Sequence, residues 1–390
     1  MSLRNIVLFA TLMTAILFSC NMATNNNFKN DSFEWPVSNP TNEGIDSIKI
    51  DSIHQEILSG EYGLVDHLLI IRNGNIVFDK HYKNNYDSIA RLYDTIIYPT
   101  EFQYNYDHPD WHPYYKGTDL HTLQSCTKSI TSLLVGIAID EGLIPDTDMK
   151  VMELFDSYDP AQQDTLKSLI TLQDLLTMRG GFKWDESISY FDPDNSCYIL
   201  ESKENWLDYI LALPMDTIPG TKFVYNGGIT VLLGEIIRLK TGMRIDKWAE
   251  EKLFKPLDIS DYYWKLSPNG EVDTEGGLYL SIYDFAKIGQ LVLNNGTWQG
   301  ERIISEKWLK ESTGPHIIYN EFISYGYQWA IWHPSQVNYQ LIQTGGFGGQ
   351  ILSIDKKNNV LTVLNRWNIH GNSEKDHWLI PDLVSEATIE

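Results

Sequence analysis

Apolar positions along the chain switch between a period of two and a period near 3.6, and the switches mark its elements. His67-Leu-Leu-Ile-Ile-Arg-Asn-Gly-Asn-Ile-Val-Phe-Asp-Lys-His81 holds two β-rich runs around Arg72-Asn73-Gly74-Asn75. Asn-Gly between such runs predicts a hairpin, because the tight turn needs positive φ at both central positions. Further on, Ile130, Leu133, Leu134, Ile137 and Ala138 fall at i, i+3, i+4, i+7 and i+8. This spacing predicts a helix, closed by Gly142. Thr171 and Asp174 form a capping pair for a short helix over 172–178, stopped by Gly180-Gly181. Ile229, Leu232, Leu233, Ile236 and Ile237 repeat the helical spacing, with Gly242 as the stop. Ser281 and Asp284 cap another helix that runs towards Asn294 and ends near Gly296. Residues 325–367 are rich in aromatic and β-branched side chains with glycine breaks and predict several strands. Residues 95–119 have no clear period and read as a long loop.

Strands therefore sit near both ends and helices in the middle. A parallel α/β sheet would need the two to alternate throughout. The pattern predicts an α+β fold, with an antiparallel sheet assembled from both termini and flanked by helices. A helical region is inserted at roughly 145–270, within a domain expected to span 35–390. The junction of the two parts is the expected place for a site.

Composition narrows the function classes. With 43% hydrophobic and 12% aromatic residues, the chain can build a large core. Its net charge of −22 repels phosphate backbones, so nucleic acid is not expected as a partner. Three cysteines are too few for a disulfide scaffold or a cysteine-based zinc site. A pairing of Cys126 with Cys197 stays open for an exported chain.

The first residues read as an address. Arg4 precedes fourteen largely apolar residues, Ile6 to Ser19, too few to span a bilayer and suited to a signal peptide over 1–19. The run ends at Leu17-Phe18-Ser19-Cys20, which resembles a bacterial lipobox. The resemblance implies that Cys20 is lipidated and begins the mature chain, with the polar stretch 20–34 as a tether. The expected location is then the cell envelope, with the membrane reached through Cys20. Removing 1–19 takes one Arg and no acid, which moves the net charge from −22 to −23.

Candidate chemistry begins at Ser125-Cys126-Thr127-Lys128, an S-x-x-K at the first turn of the 130–138 helix. Residues three apart share a helix face, so the lysine amine can reach the serine hydroxyl. A serine hydroxyl is a poor nucleophile until a neighbour takes its proton, and a desolvated lysine can do so. The helix N-terminus adds backbone N–H groups near a developing oxyanion.

Asp119-Leu-His-Thr-Leu-Gln-Ser-Cys-Thr-Lys-Ser-Ile-Thr-Ser-Leu-Leu-Val-Gly-Ile-Ala-Ile-Asp-Glu-Gly142 resembles the nucleophile segment of the serine β-lactamase/penicillin-binding-protein family. The likeness is to its class C-like, esterase and nylon-oligomer hydrolase branch. Further blocks follow in order. They are 170–186, Pro219-Gly-Thr-Lys-Phe-Val-Tyr-Asn-Gly-Gly228, 275–290, Tyr325-Gly-Tyr-Gln-Trp329 and Gln343-Thr-Gly-Gly-Phe-Gly-Gly-Gln350. Together they cover roughly 34–385.

The resemblance implies a β-lactamase/transpeptidase-like fold and a serine hydrolase that needs no cofactor or metal. Its substrate would be a small molecule or a peptide. Ser125 would be the acyl-accepting nucleophile, Lys128 its base and Tyr225 the second proton carrier. Gly227 stands where the family's Y-x-N motif ends in Asn, and Asn226 is the candidate to replace that substrate contact. Gln343-Thr344-Gly345 aligns with the family's K-T-G strand, so Gln343 and Thr344 become substrate-binding candidates. The Gly346 amide would join that of Ser125 as the oxyanion hole, with Gly348 as a rival. Alternatives are a penicillin-binding or sensor lipoprotein that acylates with little turnover, and a D-amino-acid peptidase or β-lactamase.

Other patterns carry less. Pro109 argues against a helix that would make a metal pair of His108 and His112. Asp192-Pro-Asp-Asn-Ser196 lacks the Gly and Glu of a calcium loop and reads as a turn. Trp184, Trp206, Trp329 and Trp332 are candidates for core or pocket. Cys20→Ser is expected to abolish metabolic labelling of the protein by a fatty-acid analogue, and undiminished labelling would refute lipidation there.

Overall fold

Strands from the two ends of the chain pair side by side. Val65–Arg72 lies between Asn75–His81 and Val360–Arg366, antiparallel to both. The sheet continues through Ile351–Asp355, Leu341–Gly345, Ala330–Trp332, Ile323–Tyr325 and Ile317–Ile318, giving eight strands among the described residues. The computed structural model describes residues 33–90, 114–155, 164–333, 340–369, 371 and 373–389. The expectations at residues 1–32, Cys20 included, and at the His108–His112 pair lie outside them.

The predicted hairpin forms, with Asn73 at φ 54° and Gly74 at φ 79° carrying the turn. One face of the sheet is covered by helices from the chain's two ends, Ser47–Leu58 and Ile380–Glu386. Ile50, Ile53 and Ile57 meet Ile380 and Val384 there, over Leu68, Ile70, Val360 and Leu364. Each such side chain contributes about 1.5–3 kcal/mol on burial. Ile50, Ile53 and Ile57 stand at the i, i+3, i+7 spacing of a helix missing from the expectations above. Asp46 caps it, accepting from the amides of Ile48 and Lys49.

Helix Ile282–Leu293 covers the other face, where a Cβ on Gly289 would lie 2.7 Å from Leu352. Alternation along the strands sends Leu352 there and Ile351 to the opposite layer. Helix Cys126–Asp140 packs against helix Gly227–Thr241, which ends on Gly242 in the left-handed conformation. A three-stranded sheet of His121–Thr122, Leu278–Leu280 and Tyr263–Trp264 closes the helical part.

The fold is the α+β arrangement expected, with one adjustment. The helices predicted on either side of 145–270 form as Cys126–Asp140 and Ile282–Leu293. The helix expected over 172–178 stops at Leu176, because Met178 turns left-handed at φ 58° before the glycines are reached. Its capping box between Thr171 and Asp174 is present.

Gly136, in the middle of Cys126–Asp140, fixes how close the neighbouring Glu306–Ser312 helix comes. A Cβ there would lie 2.3 Å from the Trp308 indole. Alanine in a helix interior is ordinarily about 1 kcal/mol better than glycine, but overpacking costs about 1–3 kcal/mol. Gly136→Ala is therefore expected to lower Tm, and a raised Tm would show that the interface yields.

Candidate active site

Ser125 sits at the N-cap of Cys126–Asp140, after Gln124 in the left-handed region at φ 48°. Strained backbone of this kind persists only where its surroundings fix it. Here Leu123 pairs with Leu278 and accepts from the Cys126 amide, while Gln124 donates to Thr122. An N-cap serine normally turns its oxygen onto the helix amides. Ser125 has helical φ and ψ, makes no such bond, and leaves its Oγ to Lys128, whose Nζ donates to it at 3.1 Å.

Lys128 is 2% exposed. Its Nζ also donates to the Glu275 carbonyl at 2.7 Å and stands 5.3 Å from the centre of the Tyr225 ring. Tyr225 comes in just before helix Gly227–Thr241, on a segment held where the Val224 amide donates to Met178 O. Tyr225 lines the same cavity as Ser125, and both Ser125 and Lys128 help to draw its phenol pKa down. The structure thus brings the three candidates Ser125, Lys128 and Tyr225 together.

Their resting charges differ from the neutral lysine expected. Burial pulls the Lys128 pKa down. Attraction to Tyr225, Glu186, Glu275 and Cys197 together outweighs burial and holds its pKa above the ordinary lysine value. Burial raises the Tyr225 phenol; Lys128 opposes this and Glu186 adds to it, and the net shift is upward. At neutral pH the pair rests as ammonium and phenol.

Sequence reasoning gave Glu186 and Glu275 no role, since no local spacing joins them to Ser125. The Glu186 carboxylate accepts from Trp184 Nε1 at 2.8 Å, the Gly227 amide at 2.8 Å and Tyr190 Oη at 2.7 Å. Glu186, Cys197 and Glu275 are buried, with potential ligand atoms within 4.8 Å of one another. Lys128 already supplies positive charge to this group. Burial pushes the Cys197 thiol well above its ordinary range, and it donates to Glu275 Oε2 at 3.1 Å. A protonated thiol and the neighbouring Lys128 ammonium fit a metal ion poorly. Neither Cys126 nor Cys197 is in a disulfide, so the pairing left open between them is not made.

Three further expectations are corrected or refined. Asn226 is 2% exposed and caps helix Gly227–Thr241, its Oδ1 accepting from the Ile229 amide at 3.1 Å. It does not line the cavity described below and cannot replace the motif's Asn. The Gly346 amide donates to Gln350 O at 2.9 Å, which extends the ladder towards Ile351–Asp355 and turns that N–H away from an oxyanion. Gly346 is glycine for a different reason: a Cβ would lie 2.4 Å from Leu123 O. Gly348, the rival, does not line the cavity beside Ser125. Gln343 and Thr344 do line the cavity, with Gln343 Nε2 held by Ser353 Oγ at 3.1 Å.

The cavity measures about 550 Å³ and opens beside Ser125. Its walls are largely aromatic: Tyr190, Phe223, Tyr225, Tyr319, Tyr325, Trp332, Phe347 and Trp378. Trp378 lies flush on Gly345, where a Cβ would meet it at 1.9 Å. Of the tryptophans weighed in the sequence, Trp332 lines the cavity and Trp206 and Trp329 are core. Among the described residues no Lys or Arg lines it, and Asp376 is the charged group on its wall. Arg366 donates to Tyr62 O, and Arg179 is taken by Thr177 and Gly220.

Glu186 stabilises the Lys128 ammonium and opposes a Tyr225 phenolate, so it raises both pKa values. Removing its charge lowers both. For Glu186→Gln, the rate of Ser125 labelling by a fluorophosphonate is expected to begin rising at lower pH than in wild type. An unmoved or alkaline-shifted profile would contradict the electrostatics.

Comparison with known proteins gives this geometry a lineage. The Beta-lactamase family matches residues 63–383. The 6-aminohexanoate-dimer hydrolase of Paenarthrobacter ureafaciens is 27% identical over 203 residues, covering 49% of this chain and 50% of that protein. The chain spans about half the length of the curated relatives it matches. Among solved structures, EstCE1, a hydrolase with promiscuous acyltransferase activity, superposes with a TM-score of 0.66 at 13% identity, covering 90% of this chain and 100% of that one. A D-stereospecific amidohydrolase from Streptomyces sp. does so with a TM-score of 0.61 at 16% identity, covering 88% and 98%. These structures share the fold, and the match over 63–383 makes the chain a member of the β-lactamase family.

Proposed function

We propose that the protein is a serine hydrolase that opens neutral esters or amides through an acyl-enzyme on Ser125. The observation that carries this is the Lys128–Ser125 hydrogen bond of 3.1 Å at the edge of a wide aromatic cavity with no cation on its described wall. In the first step Ser125 Oγ forms a bond to the carbonyl carbon. Its proton passes to the Lys128–Tyr225 pair, once that pair has lost one, and then to the leaving group. Water, activated by the same pair, releases the acyl group. The helix N-terminus offers the Ser125 amide to the oxyanion. The names of the relatives, a dimer hydrolase, a hydrolase with promiscuous acyltransferase activity and an amidohydrolase, support this reaction class without fixing a substrate.

Apolar walls favour an uncharged, preferably aromatic, group on the substrate. An anionic substrate finds Asp376 and the Gln343 amide dipole where a lysine would have served. Charge-assisted hydrogen bonds are roughly twice as strong as neutral ones, so the loss falls on β-lactam-like carboxylates. The bond that ties Gly346 N–H to Gln350 favours a second reading, in which the protein acylates and turns over slowly. We further propose that lipidated Cys20 tethers this hydrolase to a membrane of the cell envelope.

Fluorophosphonate is expected to label Ser125 alone, and Ser125→Ala to lose both labelling and activity while staying folded. Tyr225→Phe is expected to cost about 10²-fold or more in turnover, the usual share of a positioned acid–base group. Wild type should show a higher kcat/KM for a neutral p-nitrophenyl ester than for a carboxylate-bearing cephalosporin, with Gln343→Lys narrowing the gap. Label on another serine, or a preference for the cephalosporin, would defeat this reading. Labelling without steady-state hydrolysis would select the slow acylator.

A further inference from the structure

Gly227 leaves the third position of the Tyr225 motif without a side chain, but the space is filled. A Cβ at Gly227 would lie 1.7 Å from Glu275 Oε2. Glu275 reaches this place from a different segment, between Asp273 and strand Leu278–Leu280. That segment is wedged between the two central helices: Thr274 Oγ1 donates to Thr230 O at 2.8 Å, and Lys128 Nζ donates to Glu275 O at 2.7 Å. The amides of Glu275 and Gly276 donate to Asp273 Oδ1. A carboxyl has been moved from another part of the chain to where the motif would put a carboxamide.

Glu275 is 2% exposed, and its two oxygens are treated differently. Oε2 accepts from the Cys197 thiol, while Oε1 is buried with no hydrogen-bond partner among the described residues. Buried polar atoms are nearly always satisfied, and an exception marks strain, a functional role, or a water or ion held there. Glu275 lines a second, narrow crevice of about 20 Å³, shared with Ser125, Lys128, Glu186, Tyr190 and Phe347. Ser125, Tyr190 and Phe347 line both this crevice and the aromatic cavity, so the two openings meet at the candidate nucleophile.

We propose that Glu275 is the specificity-determining residue of this crevice, receiving on Oε1 a primary ammonium that the substrate carries close to its reacting carbonyl. The substrates would then be esters or amides of small amino acids with a free amino group. This rests on the reading of Ser125 as nucleophile. Size supports it: the crevice has the room of about one water, which an ammonium fits and an N-acyl group does not. Charge supports it as well. Two carboxyls, Glu186 and Glu275, share the one Lys128 cation, and Glu201 is occupied with Lys265 at 3.3 Å. Burial raises the empty Glu275 carboxyl well above its ordinary range; Lys128 pulls it down, and Asp273, Glu201 and Glu186 push it up. An arriving cation supplies the missing counter-charge and makes the hydrogen bond charge-assisted.

The test uses benzyl esters, whose leaving group suits the aromatic cavity, with release of benzyl alcohol followed for the full-length protein. Benzyl esters of D-alanine, L-alanine and β-alanine are compared with their N-acetyl forms and with benzyl propionate. Wild type is expected to favour at least one free-amine ester over its N-acetyl form by about tenfold or more in kcat/KM. Glu275→Gln, which keeps the size and removes the acid, is expected to lower that ratio about tenfold. The double variant Gly227→Asn/Glu275→Gly, which returns an amide to the motif, should move preference towards the N-acetyl ester. If the variants fail to fold, the wild-type ratio alone decides. Hydrolysis of benzyl propionate with no free-amine preference would overturn the role of Glu275 and leave the Ser125 reading intact. No hydrolysis of any ester, together with an unlabelled Ser125, would overturn both.

Discussion

Much of this molecule is arranged around one buried cation. Taking an ammonium out of water costs several kcal/mol unless nearby groups repay it. Lys128, 2% exposed, is repaid by the Ser125 hydroxyl, the Glu275 carbonyl and attraction to the acid groups around it, Tyr225, Glu186, Glu275 and Cys197. Satisfying it forces the 273–276 segment between the two central helices and brings the Glu186 loop onto Gly227. The same field decides the resting protonation. A lysine held by carboxylates keeps its proton, so Ser125 faces an ammonium beside a neutral phenol. The pair becomes a base only after losing a proton that its neighbours help to retain.

Several glycines serve this close assembly, and each does so by lacking a side chain at one contact. Gly227 makes room for Glu275, Gly234 for Thr274, and Gly346 for the Leu123 carbonyl just ahead of the nucleophile. Gly346 couples two sheet systems, since the turn at Leu123 is tied to Leu278 while Gly346 is tied to Gln350. The position of Ser125 is thus over-determined from both sides, which is what permits the left-handed Gln124 before it.

What the sequence revealed was whatever is local. The Asn73-Gly74 turn, the Thr171–Asp174 capping box, the Gly242 stop and the i, i+3 pairing of Ser125 with Lys128 depend on neighbours within a few residues. Family resemblance carried the reading further, to Tyr225 and the 343–346 strand. Both failed where a side chain or amide had to choose among partners. Asn226 looked available for substrate, but a buried helix start needs its amide capped. The Gly346 N–H looked available for an oxyanion, but the ladder claimed it. Glu275 lies far along the chain from Ser125, in a segment with no period, and Trp378 reaches the cavity from near the C-terminal helix. Nothing in one-dimensional spacing announces such meetings.

The two openings at Ser125 differ in every property that recognition uses. One is wide and aromatic, with the single described charge of Asp376; the other is narrow, buried and rich in acid groups. A carbonyl placed at Ser125 Oγ must send one substituent towards each, and the contrast fixes which. A bulky apolar group fits only the first. The second has room for about one water, so only the tip of a substituent enters it, one whose charge or hydrogen-bond donors complement carboxyls. Orientation at the nucleophile then follows from partition between two solvents, before any hydrogen bond to the carbonyl is made. In a protein whose motif has lost the asparagine that would grip an acylamino group, that partition is what remains to hold a substrate in one direction.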